Sequence, residues 1–248
     1  MVNDMKHTYL FVVACCALLL TSCASSRYCA DTFSAQAPAK VPLLLPYVDI
    51  FAISKGQEAY SDSLSTAASD VLTGILDDNL SQFPISEFIR IDDDELDRQV
   101  GRDGAALAFA PKVNTSNGVK TRAKNIRSLP LPESIRQLMD DNDLPYLMLL
   151  YENGFVRMKG EVVRESAKNA AISVGLAAVV ALVSLGSVIV VPSVDLPNPY
   201  ATTFTLMVAD RANDSIVYYN TVEEVDDPLS RTEVYELLWR LFKKYPAR

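Results

Sequence analysis

An unbroken apolar run at 170–191, AAISVGLAAVVALVSLGSVIVV, constrains the fold of this 248-residue chain more than any other feature. The sequence has no charged side chain from 169 to 194, so the run is long enough to cross a bilayer as one helix, which takes about 20 residues. A single crossing would separate residues 41–160 from everything after 200. The strands and helix predicted after 200 complete the domain that begins before the run, so we expect a single domain that accommodates the run without being divided by it.

The composition of the run favours a long helix at 161–186 followed by a strand at 187–194, where β-branched residues are concentrated. Small residues recur every four positions at Ser173, Ala177 and Ala181, which allows close helix packing. A helix that is apolar all round has to be covered, and three coverings remain open: packing within the domain or an oligomer, re-entrant insertion into a membrane, and a true span. A pore-forming hairpin is disfavoured, since it would need alternating polar residues. The positions assigned to this membrane or oligomer segment are Ala170, Ala177, Ala181, Leu185 and Val191.

The amino terminus has the pattern of an export signal. Lys6 and His7 precede an apolar stretch at 9–20, and Leu20-Thr21-Ser22-Cys23 follows directly. This tetrapeptide resembles the lipobox of bacterial lipoproteins. The resemblance implies a signal peptide at 1–22, cleavage before Cys23 and a diacylglyceryl anchor on its thiol, which attaches the chain to a membrane. Ala24, in place of an aspartate, implies the outer membrane and its periplasmic face, with the inner membrane as the alternative.

Charge and residue usage exclude several classes of chemistry. The chain has 23 Lys and Arg against 31 Asp and Glu, a net charge of −8, which disfavours nucleic-acid binding. Its one histidine, His7, would leave with the signal peptide, and Cys29 would be the one ordinary thiol of the mature chain. A histidine-dependent zinc site or nucleophile–histidine catalysis is therefore excluded. We predict that the protein is not an enzyme and has no cofactor.

Periodicity predicts an α/β domain with a mixed sheet and flanking helices. Strands are expected at 41–54 and 85–91, a helix at 58–82, and a further helix capped by Asp92, with Glu95 completing a capping box. Asn153-Gly154 indicates a hairpin turn between two apolar runs. The later elements expected are a helix at 132–139, strands at 201–210 and 216–222 with Phe204, Leu206 and Val208 on one face, and a helix at 231–245.

Charged clusters give weaker signals. The segment 101–127 carries six cations against one acid, and we expect a solvated, protease-sensitive loop, with contact to anionic lipid or an acidic partner as the alternative. Three acidic clusters, at 92–97, 140–143 and 223–227, lack the spacing of a calcium loop. They favour capping and solvent roles over metal binding.

The element order at 41–248, together with LMVADRANDSIVYYNTV and LLWRLFKKYP near the carboxyl end, resembles the periplasmic α/β domains of the CsgG-like and TolB amino-terminal-like lipoproteins. The resemblance implies a lipidated tether at 23–40, a domain at 41–248 that includes the apolar segment 169–194, and a non-catalytic assembly or accessory role in the envelope through association with itself or a partner. The alternative is a subunit of an outer-membrane secretion or pore complex with 170–191 in the membrane.

Overall fold

A computed structural model describes residues 26–54, 57–115, 118–157, 179–180, 189–190 and 198–246. Its centre is an eight-stranded mixed sheet with helices on both faces, which confirms the coarser prediction of an α/β domain with a mixed sheet and flanking helices. The strands are β1 (Arg27–Cys29), β2 (Val41–Leu44), β3 (Tyr47–Ser54), β4 (Gln57–Tyr60), β5 (Ile85–Ile89), β6 (Lys112–Thr115), β7 (Gly118–Thr121), β8 (Tyr146–Arg157), β9 (Val179–Val180), β10 (Ile189–Val190), β11 (Tyr200–Asp210) and β12 (Ser215–Glu224). The α-helices are α1 (Asp31–Gln36), α2 (Asp62–Asp78), α3 (Asp94–Phe109), α4 (Glu133–Asp141) and α5 (Arg231–Phe242).

The sheet has an antiparallel half and a half that is parallel except for β4, and the two halves meet at β8. Strands β1, β12, β11 and β8 are neighbours in that order, and each pair is antiparallel. On the other side of β8, strands β2 and β3 both run parallel to it. Strand β5 then pairs with β2, and β4 with β3. Strand β8 is therefore the long central strand on which both halves depend.

The strand predicted at 41–54 is present but is not a single strand. It is divided into β2 and β3 at Leu45 and Pro46, because proline has no backbone N–H to donate to a ladder. The division lets the two pieces take different outer partners, since β2 pairs with β5 while β3 pairs with β4.

The hairpin predicted at Asn153-Gly154 is also wrong, because both residues lie inside the continuous strand β8. Asn153 is opposite Thr203 on one side and Asp49 on the other. A Cβ at Gly154 would lie 2.5 Å from the carbonyl oxygen of Ala201, so glycine serves close strand approach here rather than a turn.

Two apolar layers cover the two faces of the sheet. One layer contains side chains of α2 and α5, including Leu72, Ile75, Leu237 and Leu241. Phe204, Leu206 and Val208 point into this layer, which confirms their predicted common face. The other layer contains side chains of α3, α4 and a 3-10 helix at Ala123–Ser128.

Two helix starts differ from the sequence predictions. Helix α2 begins at Asp62 rather than at 58, because Gln57–Tyr60 pairs with β3 as a strand, and the Ser61 side chain accepts a bond from Leu64 N at 3.4 Å. The helix predicted after Asp92 is capped by Asp93, whose carboxylate accepts bonds from Glu95 N and Leu96 N at 2.8 and 2.9 Å. The expected capping residue was thus one position too early.

The described residues of the segment 101–127 are folded, contrary to the predicted solvated loop. Its first part continues α3, with Leu107 and Phe109 buried. The paired strands β6 and β7 follow, and then the 3-10 helix, which buries Ala123 and Ile126. The apolar residues that cover the sheet here are widely and irregularly spaced. They therefore do not form the regular pattern from which buried helices and strands are predicted.

The predicted tether at 23–40 also contains folded residues. Strand β1 pairs with β12, and α1 buries Phe33, whose ring lies 5.5 Å from that of Tyr146. The folded domain therefore begins by Arg27 rather than at 41. The carboxyl-terminal prediction is confirmed: α5 buries the expected stripe, and Tyr245 beyond it is also buried.

Four residues of the apolar segment 169–194 are described. Val179–Val180 and Ile189–Val190 form an antiparallel pair, so the helix expected at 161–186 is not found at 179–180. The five assigned positions Ala170, Ala177, Ala181, Leu185 and Val191 lie outside the described residues, as does Cys23. None of the helices in the described parts of the chain is long and apolar enough to cross a membrane.

Candidate functional site at the open end of the sheet

The sequence predicts that two chain segments attach the protein to a membrane or a partner: the one that contains Cys23 and the apolar run 170–191. Each of them leaves the described domain at a defined residue. Toward Cys23, the last described residue is Ser26, whose carbonyl accepts a bond from Thr221 N at 3.1 Å. The segment that contains the apolar run leaves after Arg157 and returns at Asn198. Arg157 holds the two sides together, because its backbone N donates to Pro199 O at 2.8 Å and its Nε to Asn198 O at 2.9 Å.

Strand direction places these points at one end of the sheet. Strand β8 ends at Arg157 beside the start of β11, since Val156 is opposite Tyr200. Strand β12 ends beside the same part of β11, with Glu224 opposite Thr202. We call this the open end, defined by the ends of β3, β8 and β12 and the start of β11. The closed end is the opposite one, where the turn at 211–214 joins β11 to β12.

A buried polar cluster lies in the half of β8 and β11 that is nearer the open end. Glu152 is 0% exposed, with Val48 and Phe204 opposite it on the neighbouring strands. Among the residues that the structure describes, neither of its carboxyl oxygens has a hydrogen-bond partner, and the same is true of Asn153 Oδ1 and Thr203 Oγ1. Burial raises the pKa of Glu152 well above its ordinary value, so this carboxyl favours its neutral form.

A second carboxyl nearby has a partner. The Tyr151 hydroxyl donates to the Asp49 carboxylate, and Asn153 Nδ2 donates to Asp49 O at 3.4 Å. Burial raises the pKa of Asp49, although the bond from Tyr151 opposes the change.

The two carboxyls do not form an acid–base pair. Asp49 is opposite Asn153, so it lies on the face of the sheet that Glu152 does not share. Paired-carboxylate hydrolysis needs both groups across one cleft. The two carboxyls therefore lie on opposite faces of the sheet and cannot act on one substrate as a catalytic pair.

Charged side chains lie along the margin of this end. Lys112 is half-buried, and its ammonium nitrogen lies 5.0 Å from the Phe109 ring centroid. Burial lowers the pKa of Lys112, while the negative charge of Glu223 opposes that shift. Glu224 forms an ion pair with Arg240 of α5.

An open groove of about 410 Å³ lies on the outer side of α5, lined by Tyr235, Glu236, Trp239 and Arg240. Trp239 is 46% exposed, and Lys243 Nζ lies 4.6 Å from its ring centroid. Sequence reasoning missed this residue, although the buried stripe of α5 leaves position 239 on the outer face. It missed Glu152 as well, for which a lone acid within LMLLYENGF was the available signal.

The acidic clusters have structural contacts. Asp93 caps α3, Asp140 and Asp143 form ion pairs with Arg211, and Asp227 accepts a bond from Leu229 N. Within the described residues, no group of three or more potential metal-ligating side chains is close enough to hold an ion.

No family model matches the sequence, and no curated protein matches it. Among solved structures, the chain is similar to the PelC dodecamer from Paraburkholderia phytofirmans, at 6% identity and a TM-score of 0.32, covering 85% of this chain and 91% of that one. A substituted variant of the same PelC dodecamer matches at 8% identity and a TM-score of 0.31, with the same coverage. Both similarities are distant.

Proposed function

We propose that this protein is an outer-membrane lipoprotein of the periplasmic face, which acts in envelope assembly as a non-catalytic accessory protein. One observation carries the proposal: the chain segments that lead to Cys23 and to the apolar run 170–191 leave the described domain at, or directed toward, the same end of the sheet. One membrane surface can therefore receive both segments.

The path to Cys23 is short. Ser26 is bonded to Thr221, three positions before β12 ends at the open end. The three Cα–Cα steps from Cys23 to Ser26 span at most about 11 Å when the chain is fully extended. A lipid on Cys23 would therefore hold the start of the edge strand β1 close to the headgroups, because no long tether separates the two.

The ends of the apolar segment support attachment without a single span. Strands β8 and β11 pair along eleven residues, from Tyr200↔Val156 to Asp210↔Tyr146. A segment whose two ends are neighbours in one sheet has to return to the side from which it started. The segment therefore either enters the membrane and returns or packs against another surface, which agrees with one domain on the periplasmic side.

A second candidate function is that of a subunit in an outer-membrane secretion or pore complex. The observation that favours it is the antiparallel pairing of Val179–Val180 with Ile189–Val190 inside the apolar run, because strands satisfy their backbone groups in lipid only by pairing with other strands. The scarcity of polar side chains in the run, which would be needed to line water, weighs against it.

Lipid labelling tests the anchor. Radiolabelled palmitate should enter the wild-type chain and fail to enter Cys23→Ser, whereas Cys29→Ser, the matched control, should label like wild type. Equal labelling of both Cys23→Ser and wild type would remove the anchor from the proposal.

Deleting 170–191 separates the two candidate functions. In an accessory protein that associates through this segment, the deletion should abolish oligomers in detergent while export and labelling at Cys23 persist. In a pore subunit, the full chain should conduct ions in planar bilayers and the deletion variant should not. A full chain that is monomeric and does not conduct would contradict both.

A further inference from the structure

We propose that Arg122, Lys124 and Arg127 form a cationic ledge that binds the anionic headgroups of phospholipids in the membrane. All three side chains are exposed, and they lie within six residues on and beside the 3-10 helix Ala123–Ser128. The orientation that the ledge gives to the domain rests on the proposed anchor at Cys23, but its affinity for anionic lipid does not.

The fold fixes the position of the ledge. Ala123 and Ile126 of the same turn are fully buried in the layer that contains Tyr28 and Tyr219. Arg122 N donates to Pro111 O at 2.7 Å, which holds the start of the turn. The backbone is thus held at both the turn and its entry, and the cationic side chains are presented to solvent by a structured surface.

These cations differ from five arginines elsewhere in the described part of the chain. Arg98, Arg136, Arg211, Arg231 and Arg240 each form an ion pair with a carboxylate. Arg122, Lys124 and Arg127 form none with the residues that the structure describes. In a chain of net charge −8, a concentrated group of unneutralised cations favours an anionic ligand from outside the chain.

The place of the ledge identifies the ligand as a lipid surface. The 3-10 helix lies beside the edge strand β1, and Arg127 is close enough to Tyr28 to oppose the rise in the Tyr28 pKa that burial causes. Strand β1 begins four residues after Cys23 in the sequence. An anchor on Cys23 brings this edge to the bilayer, where each basic residue near an anionic surface strengthens binding.

Vesicle flotation tests the ledge in the full chain carrying Cys23→Ser, so the result is independent of lipidation. Vesicles of phosphatidylcholine with phosphatidylglycerol should bind the double variant K124Q/R127Q about thirtyfold more weakly than the parent at low salt. Vesicles of phosphatidylcholine alone should bind both proteins equally, because any contribution of the apolar run does not depend on headgroup charge.

The matched control is R98Q/R102Q, which makes the same change in net charge on the exposed side of α3. It should leave binding unchanged, and the charge-conserving variant K124R/R127K should bind like the parent. The proposal is overturned if K124Q/R127Q binds like the parent, if it loses equal affinity for both kinds of vesicle, or if the control loses as much. Failure of palmitate labelling would instead refute the anchor and leave this comparison intact.

Discussion

The two ends of the long strands are built from different interactions. At the closed end, Asp210 accepts bonds from Ala212 N, Asn213 N and Asn213 Nδ2 at 2.9, 3.2 and 2.6 Å. Arg211 joins this turn to the end of α4 through Asp143, at 2.9 Å. Toward the open end, Glu152, Asn153 and Thr203 are buried, and each has a polar atom with no partner among the described residues.

This difference indicates which interactions raise the free energy of unfolding of the domain and which lower it. Each unpaired buried polar group costs about 1–3 kcal/mol, whereas a turn with its bonds satisfied locally fixes the register of the strands that it joins. The open end therefore carries an energetic cost at the place where two unusual chain segments depart. Removing an unpartnered carboxyl toward the open end and removing the turn acceptor at the closed end should therefore change the free energy of unfolding in opposite directions.

The largest effect is expected from Glu152→Met. Removing an unpartnered carboxyl while keeping the side-chain volume should raise the free energy of unfolding by about 2 kcal/mol near neutral pH. Urea denaturation measures it, and Glu87→Met, at an exposed strand position, should change it little. A loss of stability in Glu152→Met would mean that the carboxyl has a stabilising partner.

The same pair of proteins has a diagnostic pH dependence. The pKa of Glu152 is raised by burial, whereas in the unfolded chain it takes the ordinary value of 4.5. As pH rises above that value, the unfolded chain loses a proton that the folded chain keeps, so wild-type stability falls relative to Glu152→Met. The gap between the two should narrow as pH falls toward 4.5, because the difference in protonation disappears while the cost of burying the neutral carboxyl remains; a gap that does not depend on pH would contradict the raised pKa.

An effect of comparable size and opposite sign is expected from Gly154→Ala. The new Cβ would lie 2.5 Å from the Ala201 carbonyl oxygen, so β8 and β11 would have to separate, at a cost of about 1–3 kcal/mol. The control is Gly104→Ala in α3, where a Cβ meets no atom within 4 Å, and helix propensity should stabilise it by about 0.5–1 kcal/mol. Thermal unfolding of the two variants checks the contrast. Equal shifts would mean that β8 and β11 do not approach closely at Gly154.

At the closed end, Asp210→Ala should lower the free energy of unfolding by about 1 kcal/mol, because it removes the acceptor for the three bonds that hold the turn. Asp141→Ala, at an exposed position in the last turn of α4, serves as the control. Stability unchanged in Asp210→Ala would remove the distinction between the two ends.

The sequence was sufficient where one face of one element determines burial. Phe204, Leu206 and Val208 alternate along a strand, and Val234, Leu237 and Leu241 recur along a helix, so both patterns are visible locally. The hairpin turn predicted at Asn153-Gly154 was wrong because this dipeptide, which is common in hairpin turns, can also lie inside a continuous strand. Its place in a strand is decided by β3 and β11, which pair with it from distant parts of the chain.

The open end could be predicted only in part for the same reason. The segments that contain Cys23 and 170–191 are evident from composition, but their common end depends on the order and direction of β1, β12, β11 and β8. Burial of Glu152 depends on side chains that helices α2 and α5 bring over the sheet. Neither relation is encoded in a window of neighbouring residues.

Fluorescence quenching in lipid vesicles tests most directly whether the open end faces the membrane. The lipidated full chain with Cys29→Ser would carry one probe, attached either through Val225→Cys at the open end or through Asn213→Cys at the closed end. These positions lie at opposite ends of β12, whose ten residues span about 33 Å. We predict that a quencher attached to lipid headgroups quenches the probe at 225 strongly and the probe at 213 weakly; equal quenching, or stronger quenching at 213, would contradict attachment through the open end.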